Sequence, residues 1–321
     1  MTDSCGSAAW DKDVAQCRND DNACEKNAAP PRDVADPRGA APEADGASGK
    51  GAHDNPTLPT WARISINRCN LPAVILGSHT FQKNPAPLVI DGVAELHRDF
   101  FRMLHLRDTA EERVQLFYDY MSMCFRLDSL EDAGFAPDMP KNRGKLNYLK
   151  LIRGWHFNAD SVEGAVLKAW AESRFGLLPR HHRAPIRDFS GEAYNLYLEQ
   201  RATGLYNTNA LESQLDLVYT WTQLELARCH PGLSHFRLYR GVNRWEAHEF
   251  LGQKDGETLV LLNNVNSFSG DAERAGEFGD RVIATEVPLA KIICCAEVLP
   301  GRLQGEGEYL VIGGVYGVKG G

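Results

Sequence analysis

The sequence predicts an α+β protein, with a helical N-terminal half packed against a β-rich C-terminal third. Three observations lead there. Between Val93 and Ala227 apolar residues recur three and four apart, the period of an amphipathic helix. After Pro231 the chain switches to short runs of branched apolar residues separated by Gly, Pro, Asn and Asp, which read as strands and turns. The strands follow the helices as a block and do not alternate with them, which argues against a doubly wound sheet. The predicted organisation is a disordered tail over 1–56, a mainly helical region over 57–230 and a β-rich region over 231–321.

Each element has its own warrant. From Asn27 to Asn55 the chain is dominated by Ala, Pro, Gly, Asp and Glu, with Val34 its one large apolar residue. Such a stretch cannot offset its ordering entropy by burial. Ala73–Leu76 and Leu88–Ile90 are predicted as short buried strands. Leu96, Phe100, Met103 and Leu104 predict one helical face, and Asp108–Glu112 a new helix start with acids in its first turn. Val114, Phe117, Tyr118, Met121 and Phe125 continue that second helix. A loop is expected around Asp138–Gly144. Ser161 caps a helix running to about Phe175, and Pro179 breaks the pattern. Two more helices are predicted, Ala193–Arg201 and Ala210–Ala227. In the last, Leu211, Leu215, Val218, Tyr219 and Leu226 form a stripe interrupted by Thr222. His181-His182, between Arg180 and Arg183, predicts a basic, solvated loop. The expected strands are Phe236–Tyr239, Thr258–Leu262, Arg281–Val287, Lys291–Val298 and Tyr309–Ile312.

Composition narrows the function. With 43% hydrophobic residues in 321, the chain can bury a sizeable core. A net charge of −8 argues against phosphate-driven nucleic-acid binding, though a local basic patch is compatible with it. There is no apolar run long enough for a transmembrane helix and no secretory leader pattern, which predicts a cytoplasmic protein. The eight cysteines are scattered without a Cys-x-x-Cys pair, so no metal site is expected. Cys294 and Cys295, in an apolar setting, are expected to be buried thiols. No Gly-x-Gly-x-x-Gly precedes a helix, which makes a nicotinamide dehydrogenase a poor reading.

Three clusters in the β-rich region carry chemistry. Tyr239-Arg240-Gly241 ends a predicted strand. Its guanidinium suits a phosphate and its glycine a close backbone approach. Asn266-Ser267-Phe268-Ser269-Gly270 places two hydroxyls on one side of a strand. Glu306-Gly307-Glu308 sets two carboxylates two residues apart, against their mutual repulsion, beside an apolar strand. Alone, each has a plain structural reading: a solvated arginine, a strand edge, a solvated turn.

Their order and spacing together resemble the Arg-Ser-Glu signature of mono-ADP-ribosyltransferases. Beyond the motifs, the region from Trp61 to Gly321 is similar to the dinitrogenase reductase ADP-ribosyltransferases, bacterial enzymes that switch off nitrogenase by modifying its iron protein. Trp61–Pro72 and Leu238–Arg244 carry that narrower match. The resemblance implies an ADP-ribosyltransferase-type split sheet and NAD as co-substrate, bound by the β-rich region. Arg240 would hold a phosphate of NAD and the Gly241 backbone the nicotinamide amide. Ser267 would support the pocket and the catalytic carboxylate, with Ser269 behind it. Glu308 would be the catalytic glutamate and Glu306 the one associated with arginine acceptors. Phe278 would be an aromatic against the cofactor. Phe268 departs from the commonest Ser-Thr-Ser pattern. The implied partners are the nitrogenase iron protein as substrate and a PII-type nitrogen-signalling protein as activator. The helical region is assigned to scaffolding and target recognition.

These residues suit the chemistry. Losing nicotinamide develops oxocarbenium character on the ribose, which a nearby carboxylate stabilises without a metal. Other readings stay open: an arginine-specific transferase with a different target, an NAD glycohydrolase, or a non-catalytic NAD-binding interaction module. The intact Arg, Ser and Glu set speaks against the last.

Overall fold

A computed structural model describes residues 57–127, 146–206, 208, 210–302 and 307–320. The predicted tail, the loop around Asp138–Gly144, and Glu306 lie outside the described residues. The helices are α1 (Ala73–Leu76), α2 (His79–Lys83), α3 (Val93–Leu96), α4 (Arg98–His105), α5 (Ala110–Phe125), α6 (Tyr148–Phe157), α7 (Val162–Phe175), α8 (Glu192–Leu205), α9 (Leu211–Cys229) and α10 (Ala272–Gly276). The strands are β1 (His181–His182), β2 (Ala184–Pro185), β3 (His235–Val242), β4 (Glu249–Lys254), β5 (Glu257–Ser269), β6 (Arg281–Pro288), β7 (Ile292–Cys295) and β8 (Glu308–Gly320). The α+β expectation holds.

Several helices start where their caps dictate. The Thr109 hydroxyl accepts from Glu112 N at 3.2 Å to open α5, Asn147 from Lys150 N at 2.9 Å for α6, and Ser161 from Gly164 N at 3.2 Å for α7. Gly176, at φ 70°, ends α7 in the left-handed conformation. In α9, Leu211, Leu215, Val218, Tyr219 and Leu226 are all buried. Thr222 joins them because its hydroxyl bonds back to the Val218 carbonyl at 2.9 Å.

β1 and β2 form a small ribbon, and the other six strands one antiparallel sheet of split form. β4, β5, β8 and β7 lie side by side in one half. β3 and β6 pair along their full length in the other. The halves join at their corners, through Tyr239↔Ser269 at one end and Ile283↔Gly320 at the other. α9 packs on β7, where Tyr219 donates to the Ala290 carbonyl and Gln223 to those of Leu289 and Ile292.

Four local expectations need correction. Ala73–Leu76 is helix, not strand: Pro72 sets the N-terminal φ of a four-residue apolar run that periodicity cannot assign. Leu88–Ile90 makes one isolated bridge, Cys69↔Ile90, directly after Pro85 and Pro87, which cannot donate to a ladder. Leu96 and Met103 are exposed, because the chain breaks at His97 and the helical period does not run through. His182 is fully buried, held by Lys168 Nζ at 3.1 Å and Gln200 at 2.9 Å, whereas His181 is exposed. Cys294 and Cys295 are buried thiols as expected.

Candidate active site

The corner where β3, β5 and β8 meet brings the three sequence clusters together. Tyr239 faces Ser269 across β3 and β5, and Ser269 faces Glu308 across β5 and β8. Arg240, the two serines and Glu308 therefore share one end of the sheet. Beside them opens a cleft of about 640 Å³, lined by Arg240, Gly241, Ser267 and Phe278.

Arg240 is desolvated there, and burial lowers its pKa to about 10. Its Nη1 donates to the Ser267 carbonyl at 2.7 Å. Among the described residues no carboxylate pairs with it, and a guanidinium in that state favours an incoming anion. Gly241 has a packing reason of its own. A Cβ there would meet the Ala275 carbonyl oxygen at 2.1 Å and Gly279 N at 2.8 Å, so α10 and its following turn occupy the Cβ side of Gly241, while the residue also lines the cleft. Phe278 is exposed on the cleft wall, with the Arg274 guanidinium 5.7 Å from its ring centre.

Ser269 is buried and its hydroxyl accepts from Asp271 N at 3.1 Å, fixing the turn after β5. Ser267 Oγ accepts from the indole Nε1 of Trp155 at 2.8 Å. Phe268, between them, points into the core near Tyr316. Glu308 opens β8, just after a turn in which Gly307 takes φ 77° and accepts from Gly270 N. Its carboxylate is in direct contact with His156 Nδ1. That hydrogen bond holds the Glu308 pKa below its ordinary value, outweighing partial burial. Arg240, Gly241, Ser267 and Phe278 thus line the cleft, whereas Ser269 and Glu308 face each other at the adjoining strand corner and are not among its lining residues.

The model of the dinitrogenase reductase ADP-ribosyltransferase family matches residues 66–320. The chain belongs to this family. It is also 41% identical over 260 residues to the NAD(+)--dinitrogen-reductase ADP-D-ribosyltransferase of Rhodospirillum rubrum, covering 79% of this chain and 94% of that protein. No solved structure gives a significant match. Family membership makes the chain an ADP-ribosyltransferase, and its split antiparallel sheet is the one the resemblance implies.

In this ADP-ribosyltransferase the cleft is cationic although the whole chain is acidic. Lys168, Arg180, Arg183, Arg187, Arg240 and Arg244 line it against Asp160 and Glu249. Lys168 is bound to Asp160 and Arg180 to Glu249, each at 2.9 Å. The surplus suits a pyrophosphate. Among the described residues no group of His, Cys, Asp and Glu is arranged to hold a metal ion. Trp155 and His156 are the site residues that sequence reasoning misses. They sit on α6, more than a hundred residues from the motifs they touch, and the one local signal is two polar-tipped rings adjoining a buried helical face.

Proposed function

We propose that this enzyme transfers ADP-ribose from NAD to an arginine of the nitrogenase iron protein, and so inactivates it. The observation that carries this reading is the register Tyr239↔Ser269↔Glu308, which sets a desolvated arginine, two serines and a carboxylate beside one cationic cleft. The name of the Rhodospirillum rubrum relative supplies the protein acceptor.

In this reading Arg240 binds the pyrophosphate, the Gly241 backbone receives the nicotinamide amide, and Phe278 packs against the cofactor. Ser267 and Ser269 support the wall. As nicotinamide leaves, positive charge develops on the ribose, and the Glu308 carboxylate stabilises it next to the 2′-hydroxyl. An acceptor guanidinium is protonated at ordinary pH and is a poor nucleophile. Glu306 orients it and takes its proton as the new bond forms. No step needs a metal ion. A PII-type nitrogen-signalling protein is the activator this reading expects, and the helical region the surface that recognises the target.

The two glutamates separate under test. Glu308→Gln keeps shape but loses charge, and is expected to lower nicotinamide release and protein modification together, by about a hundredfold. Glu306→Gln is expected to abolish arginine modification while sparing NAD hydrolysis, which needs no guanidinium. Equal loss of hydrolysis in both folded variants would refute this division of labour.

A further inference from the structure

The site has a component from the helical half that none of the three motifs contains. α6 reaches the sheet corner with three successive contacts. Arg153 Nε donates to the Arg302 carbonyl at 3.1 Å, on the segment that leads to Glu306 and Glu308. Trp155 Nε1 donates to Ser267 Oγ at 2.8 Å. His156 Nδ1 meets Glu308 Oε2. The helix is itself fixed, by the Asn147 cap at its start and by Tyr148, Leu151, Ile152 and Trp155 buried along one face.

We propose that His156 is a positioning residue for the ADP-ribosyl transfer: it holds one oxygen of the Glu308 carboxylate so that the other meets the ribose 2′-hydroxyl. The inference rests on the reading of Glu308 as the catalytic glutamate.

A glutamate has three rotatable bonds, and its carboxylate stabilises a developing cation only when held in place before the charge appears. Ser269 lies opposite Glu308 but its hydroxyl is turned to Asp271 N, the Ser267 hydroxyl meets Trp155, and among the described residues His156 is the side chain that bonds the carboxylate. The His156 ring is mostly shielded, with 16% of its side chain exposed against 19% for Glu308, so the contact is screened less than a surface pair. The contact is attractive when Nδ1 carries the proton, which fixes the tautomer of the neutral ring. Among the described residues, the charged and titratable groups acting on Glu308 are His156 from α6 and Arg274 from α10. Both favour the ionised carboxylate.

The test uses the full chain and follows nicotinamide release from NAD. His156→Leu removes the donor. His156→Asn restores it, because the Asn amide nitrogen lies close to where Nδ1 was. Glu308→Gln is the control. The expected result is a kcat about ten- to a hundredfold lower for His156→Leu, the size of losing a hydrogen bond to a charged group, with KM for NAD little changed. The acid limb of its kcat profile should move to higher pH, since Glu308 loses the bond that keeps it ionised. His156→Asn should recover most of kcat and return the limb towards its original position. A merely structural role would move melting temperature without this pattern. If Glu308→Gln is inactive while folded His156→Leu keeps the kcat and acid limb of the unmodified enzyme, the positioning role is overturned and the catalytic reading stands. If Glu308→Gln keeps its activity, both fall. Should His156→Leu be too unstable to assay, a well-folded His156→Asn as inactive as Glu308→Gln would equally overturn the proposal.

Discussion

At the scale of single residues, the site depends on a few desolvated polar groups whose partners are specific atoms. Arg240 is the clearest. Its planar fork serves the Ser267 carbonyl and, in the proposed function, a phosphate. Arg240→Lys keeps the charge but offers one point donor, so NAD affinity by calorimetry should fall about tenfold. Unchanged affinity would remove Arg240 from the phosphate role. Trp155→Phe keeps the ring and removes the donor to Ser267. It should cost about 1 kcal/mol of stability by denaturant unfolding and lower nicotinamide release by roughly tenfold or less. Equal stability and rate would show that this bond does not tune the site. The motif residues were legible in the sequence as candidates because they keep short spacings, such as Ser267-x-Ser269 and Glu306-x-Glu308. Trp155 and His156 were not, because their link to the motifs is purely spatial.

At the scale of elements, α10 and the turn after it are wedged against β3 where both backbones are bare. Gly241 and Gly279 make this possible, since a Cβ on Gly279 would lie 2.3 Å from Val242 N. Gly241→Ala should destabilise the protein by about 1–3 kcal/mol, because backbone cannot step aside as a side chain can. It should also weaken NAD binding by displacing Phe278. Gly276→Ala, in the same helix, meets nothing closer than 3.7 Å and should leave Tm unchanged or slightly raised. Equal Tm for both alanine variants would contradict the close approach. Elements with a chemical marker were readable: α7 from Ser161, α5 from the acids after Asp108. β4 was missed because Glu249–Lys254 has two large apolar residues and a bulge at Leu251, between Phe250 and Gly252. The hairpin signal that could have found it is Asp255-Gly256, with both φ angles positive, at 51° and 77°. The strand ends ran past expectation, since Ser267 to Ser269 continues β5 beyond the apolar run that marked it.

At the scale of the whole molecule, folding buries ionisable groups that make stability depend on pH. Lys291 is fully buried, bonded to the Gly313 carbonyl at 2.9 Å, and burial lowers its pKa from 10.5 to about 7. Lys168 is lowered to about 8 by burial, against the pull of Asp160. Between these values and 10.5 the unfolded chain keeps protons that the native state releases, so both lysines make stability rise with pH from about 7. The buried Cys294 and Cys295 thiols, raised from 9.0, oppose this as pH nears 9. Lys291→Met removes the Lys291 contribution, so the Tm advantage of the variant should shrink from about pH 7 to about pH 9. A difference in Tm that does not vary with pH would contradict the assignment. The helical front and β-rich back were legible because hydrophobic period reports secondary structure. The closing of the sheet into two joined halves was not, because pairings such as Ile283↔Gly320 are set by long-range register. The other junction, where β3, β5 and β8 meet, sets Glu308 next to residues that line the cleft, and the proposed activity is transfer of ADP-ribose onto a protein. The most direct measurement is incubation with labelled NAD and the nitrogenase iron protein, followed by mass mapping of the label. The expected result is one ADP-ribose on one arginine of the iron protein, lost with Glu308→Gln. Hydrolysis of NAD to free ADP-ribose and nicotinamide, with the iron protein unlabelled even when a PII-type protein is added, would contradict it.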